Sequence, residues 1–254
     1  MIYGFTHPGS GLGNQLHRYV ATRVLALDKG YDFHMIGYHS HFKGKSFMSL
    51  DSGKTPIPHP MISLEQGGRI MNRSEIPSWE ENTPYYNPEF NFIEDNTIID
   101  GEFQDERYFE HRMKKINEWL EVEYLDVPND LCVIGFRGGE FYTVPELGLP
   151  KSYFEEGIAK MKRINPKMRF EVHTDDVELA QKFFPDYKVI HDIGINWRSM
   201  RFAKYAIIAN SSFYTLPRLL LGKYGRTIAP RYWDRYNIKK WERPYNFYKS
   251  FQYI

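Results

Sequence analysis

Short apolar runs alternate with helical stripes along most of the chain. Met1 to Phe5 reads as a buried strand, closed by the turn formers Pro8-Gly9-Ser10-Gly11. Leu16, Val20, Val24 and Leu27 then recur near a helical period, which predicts a helix from Leu12 to Asp28. Lys29-Gly30 supplies a basic last turn and a glycine stop. A second strand is expected over Tyr31 to Ile36. Residues 37–96 have weak periodicity and carry Pro56, Pro58, Pro60, Pro77, Pro84 and Pro88, so loops and short elements are expected there. A long irregular stretch in an ordered domain often serves binding. Acceptor binding is the use it suggests, and a plain irregular surface is the alternative.

Regular alternation resumes with a strand at Thr97 to Asp100 and a helix at Glu106 to Glu121. Pro128-Asn129-Asp130 reads as a linker. Beyond it, strands are expected at Leu131 to Gly135, Arg169 to His173, Tyr187 to Ile190, Ala206 to Ala209 and Arg226 to Ala229. Helices are expected at Lys151 to Ile164, Val177 to Phe184, Trp197 to Lys204 and Ser211 to Leu221. Strands alternating with helices point to parallel sheets covered on both faces. The pattern divides into an α/β domain over residues 1–126 and a second over 127–235. The tail, 236–254, is expected to pack back on the first domain.

Composition narrows the function classes. In 254 residues, 33 basic and 32 acidic side chains leave a formal charge of +1, without the basic excess of a nucleic-acid binder. The single cysteine, Cys132, forms no internal disulfide and no cysteine-based zinc site, and its apolar neighbours place it in a core strand. No basic segment followed by a long apolar run opens the sequence. No stretch approaches the ~20 apolar residues that span a bilayer. A cytoplasmic protein is expected. Aromatic residues make up 17% of the chain and gather near its end, from Tyr232 to Tyr253. Packing of the tail accounts for them better than stacking on a ligand.

Four polar loops follow strands. Gly9-Ser10-Gly11-Leu12-Gly13-Asn14-Gln15 joins a strand to a helix, where backbone N–H groups and the helix terminus favour an anion. It is neither a dinucleotide fingerprint, since Asn14 stands at the third glycine position, nor a Walker A loop. Gly135-Phe136-Arg137-Gly138-Gly139-Glu140 ends the first strand of the second unit. Arg137 offers a planar fork suited to phosphate, and Glu140 a carboxylate able to act as a base. Asp175 and Asp176 open a helix, as caps or as acceptors for a base or ribose. Asn210, Ser211, Ser212 and Phe213 enter another helix, as caps or as a second phosphate cradle. No Asp-x-Asp pair occurs, and no metal site is expected.

Taken in order, these segments resemble the α1,2-fucosyltransferases of glycosyltransferase family 11. The family's G-L-G-N-Q-L-F-Q-Y-A is similar to Gly11 through Val20. Its G-Y-F-Q-S-x-x-Y-F is similar to Gly101 through Phe109, and its F-S-D-D to Val172 through Asp176. Its N-S-T-F-S-W-W-A-A-W-L resembles Asn210 through Leu220, and its late A-P-x-x-W resembles Ala229 through Trp233. In the family's H-x-R-R-G-D-Y, the first arginine is kept as Arg137. The histidine, the second arginine and the aspartate are replaced by Gly135, Gly138 and Glu140.

The resemblance implies a GT-B-like arrangement, with two Rossmann-like domains and a nucleotide-sugar cleft between them. It implies an inverting glycosyltransferase without an essential metal or other cofactor, moving fucose from GDP-fucose to a glycan hydroxyl. Arg137 and Glu140 are the implied catalytic residues. Gly11, Gly13, Asn14, Gln15, Arg137, Asp175, Asp176, Asn210, Ser211, Ser212 and Phe213 are the implied donor contacts. A lipid-linked acceptor is one partner consistent with this, and would hold the protein peripherally at a membrane. Another nucleotide-sugar donor, or a non-catalytic sugar- or nucleotide-binding protein, are the alternatives left by the altered arginine motif.

Overall fold

The computed structural model describes residues 1–7, 9–37, 47–54, 78–80, 86–144, 147–231 and 248–254. They form two compact units, Met1–Glu121 and Val122–Ile254. The division falls five residues before the expected start of the second domain. Both units are α/β with wholly parallel sheets, the fold class expected from the alternating pattern.

The first unit runs β1 (Ile2–Thr6), α1 (Leu12–Lys29), β2 (Phe33–Gly37), β3 (Ser78–Glu80), β4 (Thr97–Asp100) and α2 (Met113–Trp119). Its sheet order is β2-β1-β4-β3, so β1 is flanked on both sides and all five of its residues are buried. α1 stops as expected, with Gly30 in the left-handed region at φ 70° and its N–H returned to the last turn. The helix expected over Glu106 to Glu121 is instead two single 3-10 turns followed by the short α2. Tyr108 and Phe109 are both buried, Tyr108 against Phe90 and Phe103. Seating neighbouring aromatics in one core takes Phe109 off the helical path, to φ −147°. Most of the irregular stretch assigned to acceptor binding lies outside the described residues.

The second unit runs β5 (Leu131–Phe136), α3 (Glu140–Thr143), α4 (Lys151–Ile164), β6 (Arg169–Thr174), α5 (Val177–Phe183), β7 (Lys188–Ile190), α6 (Ile193–Phe202), β8 (Tyr205–Ile208), α7 (Ser212–Leu221), β9 (Arg226–Ala229) and β10 (Gln252–Tyr253). The sheet order is β10-β9-β8-β5-β6-β7. Counted from β5 as strand one, this is 3-2-1-4-5-6 in reverse, the Rossmann order. α6 begins four residues before its expected start, because the side chain of Asp192 accepts the Ile195 N–H at 2.7 Å and caps it. The described end of the tail adds β10 beside β9 in the sheet of the second unit. Tyr248 and Phe251 are buried there, while the aromatics from Tyr232 to Phe247 lie outside the described residues.

A buried arginine ties this unit together. Arg218 on α7 is fully enclosed, and burial lowers its pKa to about 10. Its guanidinium donates to Thr227 Oγ1 at 2.9 Å and to the carbonyls of Met200 and Ala203 at 2.9 and 2.5 Å. The last two carbonyls end α6, where the helix dipole is negative, so a buried cation is matched by partial charge rather than by a carboxylate. Cys132 is fully buried in β5, and burial pushes its thiol pKa up. Among the described residues no helix is long and apolar enough to cross a membrane.

Close packing on the central strands makes a direct prediction. A Cβ at Gly4 in β1 would overlap the Thr22 hydroxyl and lie 2.7 Å from Met35 Sδ. Gly4→Ala is expected to lower unfolding stability by about 1–3 kcal/mol. Urea denaturation with an unchanged m-value checks this.

Candidate functional site

In the second unit, the direction in which successive strands are added to the sheet reverses between β5 and β8. Strands β6 and β7 extend to one side of β5, and β8, β9 and β10 to the other. In open parallel sheets the crevice beyond the carboxyl ends at such a point is where ligands bind. Two of the four sequence-predicted loops leave the sheet there: Arg137–Glu140 after β5 and Asn210–Phe213 after β8. Their strands are paired in register, with Gly135 opposite Ile208, and Ala209 N–H donates to Gly135 O at 2.8 Å.

The loop after β5 is held from the next strand. Asp175 accepts the Gly138 N–H at 2.8 Å, and its other oxygen accepts from Arg137 Nη1. Asp176 accepts the Gly139 N–H at 2.9 Å with one oxygen and caps α5 through Leu179 N–H at 3.0 Å with the other. These two backbone bonds, Leu179 first, hold its carboxyl pKa below the usual range. The capping reading given by the sequence is met by Asp176 alone, and both carboxylates fix the arginine loop. Gly139 sits at φ 53° and ψ −126°, a conformation that needs glycine.

Arg137 is therefore poised but not bare. Its Nη2 donates to Glu140 at 3.1 Å, one turn on in α3, and the guanidinium lies 5.0 Å from the Phe141 ring centroid. Its side chain is partly exposed, and that of Glu140 largely so. Two carboxylates, Glu140 and Asp175, meet the one guanidinium. An anion taking Arg137 must replace one of its partners, and the exposed pair with Glu140 is the weaker, worth about 0–1 kcal/mol.

Gly138 and Gly135 both face side chains that fill the space beside them. A Cβ at Gly138 would overlap that of Asp176 and lie 3.1 Å from its carboxyl carbon. Asp176 thus fills the space beside Gly138. A Cβ at Gly135 would lie 2.8 Å from both Met200 Cε and Tyr214 Cγ. Tyr214 uses that space to set its hydroxyl 3.1 Å from Phe136 O and 2.9 Å from His173 O, pinning α7 to the ends of β5 and β6.

After β8, Asn210 and Ser211 are buried. Asn210 Nδ2 donates to Leu147 O at 3.1 Å. Ser211 is the N-cap of α7 without a capping bond from its hydroxyl. Phe213, of intermediate burial, packs edge-on against buried Trp197, at 5.6 Å between centroids. Ser212, with intermediate burial, starts the helix beside them.

The glycine loop of the first unit follows β1. Gly9 has φ 82°, which explains its identity. Gly11 caps α1 at φ −63° and would give a Cβ no neighbour within 4 Å, so neither backbone nor packing demands glycine there. Gly13 and Gln15 are buried. Gly13 O pairs with His17 Nδ1 at 2.9 Å, and Gln15 Nε2 donates to Ser10 O at 2.7 Å. Asn14 keeps some exposure and accepts from Gln104 at 3.3 Å. The sequence reading missed a polar cluster beside this loop: His7, Arg18, Asp100 and Glu102. Among the described residues no group of three or more His, Cys, Asp or Glu side chains is arranged to hold a metal ion.

No protein-family model matches the chain, and no curated protein matches it in sequence. Its fold is similar to that of several solved structures. One is the NodZ α-1,6-fucosyltransferase of Bradyrhizobium in a crystal soaked with GDP-fucose, at 15% identity and TM-score 0.43, over 87% of this chain and 92% of that one. A second is the Escherichia coli heptosyltransferase WaaC with ADP, at 10% identity and TM-score 0.48, over 100% and 92%. A third is a family 9 glycosyl transferase from Veillonella parvula, at 11% identity and TM-score 0.47, over 100% and 86%. At these identities and scores the likeness carries no weight for chemistry, which rests on the site.

Proposed function

We propose that this protein is an inverting glycosyltransferase that moves fucose from GDP-fucose to a glycan hydroxyl without an essential metal. One observation carries the reading: Arg137 stands at the reversal point of a Rossmann-ordered sheet, on a glycine loop fixed by Asp175 and Asp176. A preorganised fork at that place suits a nucleoside diphosphate. The start of α7, with Asn210, Ser211 and Ser212, adds helix-terminal N–H groups on the neighbouring strand. The choice of fucose and guanine rests on the ordered family-like segments.

As the bond from the sugar to the diphosphate breaks, negative charge grows on the leaving oxygens, and Arg137 neutralises it in place of Glu140. Glu140, bonded to that guanidinium in the absence of donor, is released from it. The acceptor proton leaves with a base as its oxygen bonds to the sugar carbon.

Three outcomes are expected. GDP and GDP-fucose should raise the melting temperature above UDP-, CMP- and dTDP-sugars, since a ligand at 100 times its Kd adds about 2.7 kcal/mol. A preference for a UDP-sugar would replace the donor while keeping the enzyme class, and no response to any nucleotide would favour a non-catalytic role. Arg137→Ala should lower kcat by about 100-fold or more, with Arg137→Lys recovering only part of the loss. Near-normal kinetics in the alanine variant would place the diphosphate elsewhere. Activity should persist in excess chelator, and a complete loss that magnesium or manganese restores would overturn the metal-free mechanism.

A further inference from the structure

Beyond the Asp175-Asp176 turn, the next strand end along the second sheet is that of β7. Strands β5, β6 and β7 lie side by side and are the first three of the Rossmann order. In that order a diphosphate lies at the loop after the first strand, and an acidic residue after the second meets the ribose hydroxyls. Arg137 and the Asp175-Asp176 turn stand at those two places. A nucleoside placed so runs along the carboxyl edge of the sheet toward β7. Neighbouring strands lie about 4.8 Å apart, so β5 to β7 spans about 10 Å, the scale of a ribose and its base. On the other side of β5, the Asn210 and Ser211 side chains after β8 are buried, and Asn210 is already bonded to Leu147 O.

His191 is the first residue past β7, and it is exposed. Its backbone is fixed from both sides. Ile190 pairs in register with His173 of β6, and Asp192 caps α6 through the Ile195 N–H. The ring is fixed as well, with Nδ1 3.1 Å from Thr174 O. A carbonyl only accepts, so Nδ1 carries the proton and Nε2 presents a lone pair. That carbonyl is itself held, because buried Asn196 of α6 donates its Nδ2 to it at 3.2 Å. Nε2 has no hydrogen-bond partner among the described residues. The imidazole is thus tied to the residue before Asp175, with its accepting nitrogen unengaged. Apolar surface follows in the chain, where Ile193 and Ile195 in the first turn of α6 are 45% and 36% exposed. A ligand site combines such apolar surface with a few placed polar groups.

We propose that His191 reads the base of the donor nucleotide, with Nε2 accepting an N–H from the Watson–Crick edge of guanine. The assignment rests on the nucleotide-sugar reading above and lies wholly within the second unit. Guanine carries adjacent donors on that edge, N1–H and the N2 amine. Adenine has an accepting N1 there and no N2 amine. A fixed acceptor at that place pairs with the first base and faces a lone pair on the second. A site built around one hydrogen bond discriminates against a ligand that leaves it unmade. His191 is a specificity residue in this assignment and takes no part in bond breaking.

The test measures Kd by calorimetry for GDP, ADP and inorganic pyrophosphate. It compares the unaltered protein with His191→Ala, His191→Asn and Arg137→Ala. The asparagine amide can still donate to Thr174 O but does not reach as far as Nε2. Both His191 variants are expected to bind GDP about 10-fold more weakly and pyrophosphate unchanged. Their preference for GDP over ADP falls accordingly. Arg137→Ala is expected to weaken GDP and pyrophosphate alike. If His191→Ala weakens both ligands and His191→Asn restores both, the ring serves only to hold Thr174, and the base contact is overturned. Unchanged GDP affinity in both His191 variants also overturns the assignment, and leaves the donor reading standing. So does an unaltered protein that binds GDP and ADP equally. An unaltered protein that does not bind GDP removes the guanine donor reading and this assignment with it.

Discussion

Two consecutive carboxylates hold the second unit's site in shape. The loop after β5 contains two glycines and would be loose by composition. Asp175 and Asp176 take both of its N–H groups, and Asp175 also takes one arm of Arg137. The same Asp176 starts α5. Register between β5 and β6, Phe136 opposite Thr174, brings the two loops level. Tyr214 fixes that level from the other side, by meeting the carbonyls that end both strands. The position of the guanidinium is therefore set by strand pairing and backbone hydrogen bonds, before any ligand is considered.

Unpaired charge is avoided in both units by different means. In the second unit, buried Arg218 rests on the carbonyls that end α6, and two carboxylates meet Arg137. In the first, buried Arg18 is met by two carboxylates and a strand carbonyl. Burial with matched partners makes each arginine rigid. Arg137 keeps a partner that solvent reaches, and exchange there costs little.

Much of this was legible in the sequence where the signal was local. The helix Lys151 to Ile164, the stops at Gly30 and the strand ends at Arg137 and Asp175 follow from period, caps and turn residues. Asp192 carried a readable cap that an eye on apolar period passed over. What stayed hidden was long-range. His7 and Asp100 are 93 positions apart, and Arg18 and Asp100 82, so their meeting depends on β1 and β4 pairing across an irregular stretch. Arg18 inside a helical stripe reads as a solvated cation until the sheet covers it. Likewise, nothing local says that Asp175 and Asp176 bond to the backbone of another loop, or that a neighbouring side chain fills the space beside Gly138.

That last contact links two positions in any history of the chain. Gly138 and Asp176 occupy one volume between them, so a side chain at 138 requires the aspartate to shrink or turn away. Shrinking it removes the cap of α5 and the bond to Gly139 together. Neither position can change alone at small cost. A passage between this loop and one with arginine at 138 runs through an uncapped helix or an overlapping pair, and the two substitutions are bound to be strongly non-additive. The glycine thus marks a constraint shared by two positions as much as a local geometry.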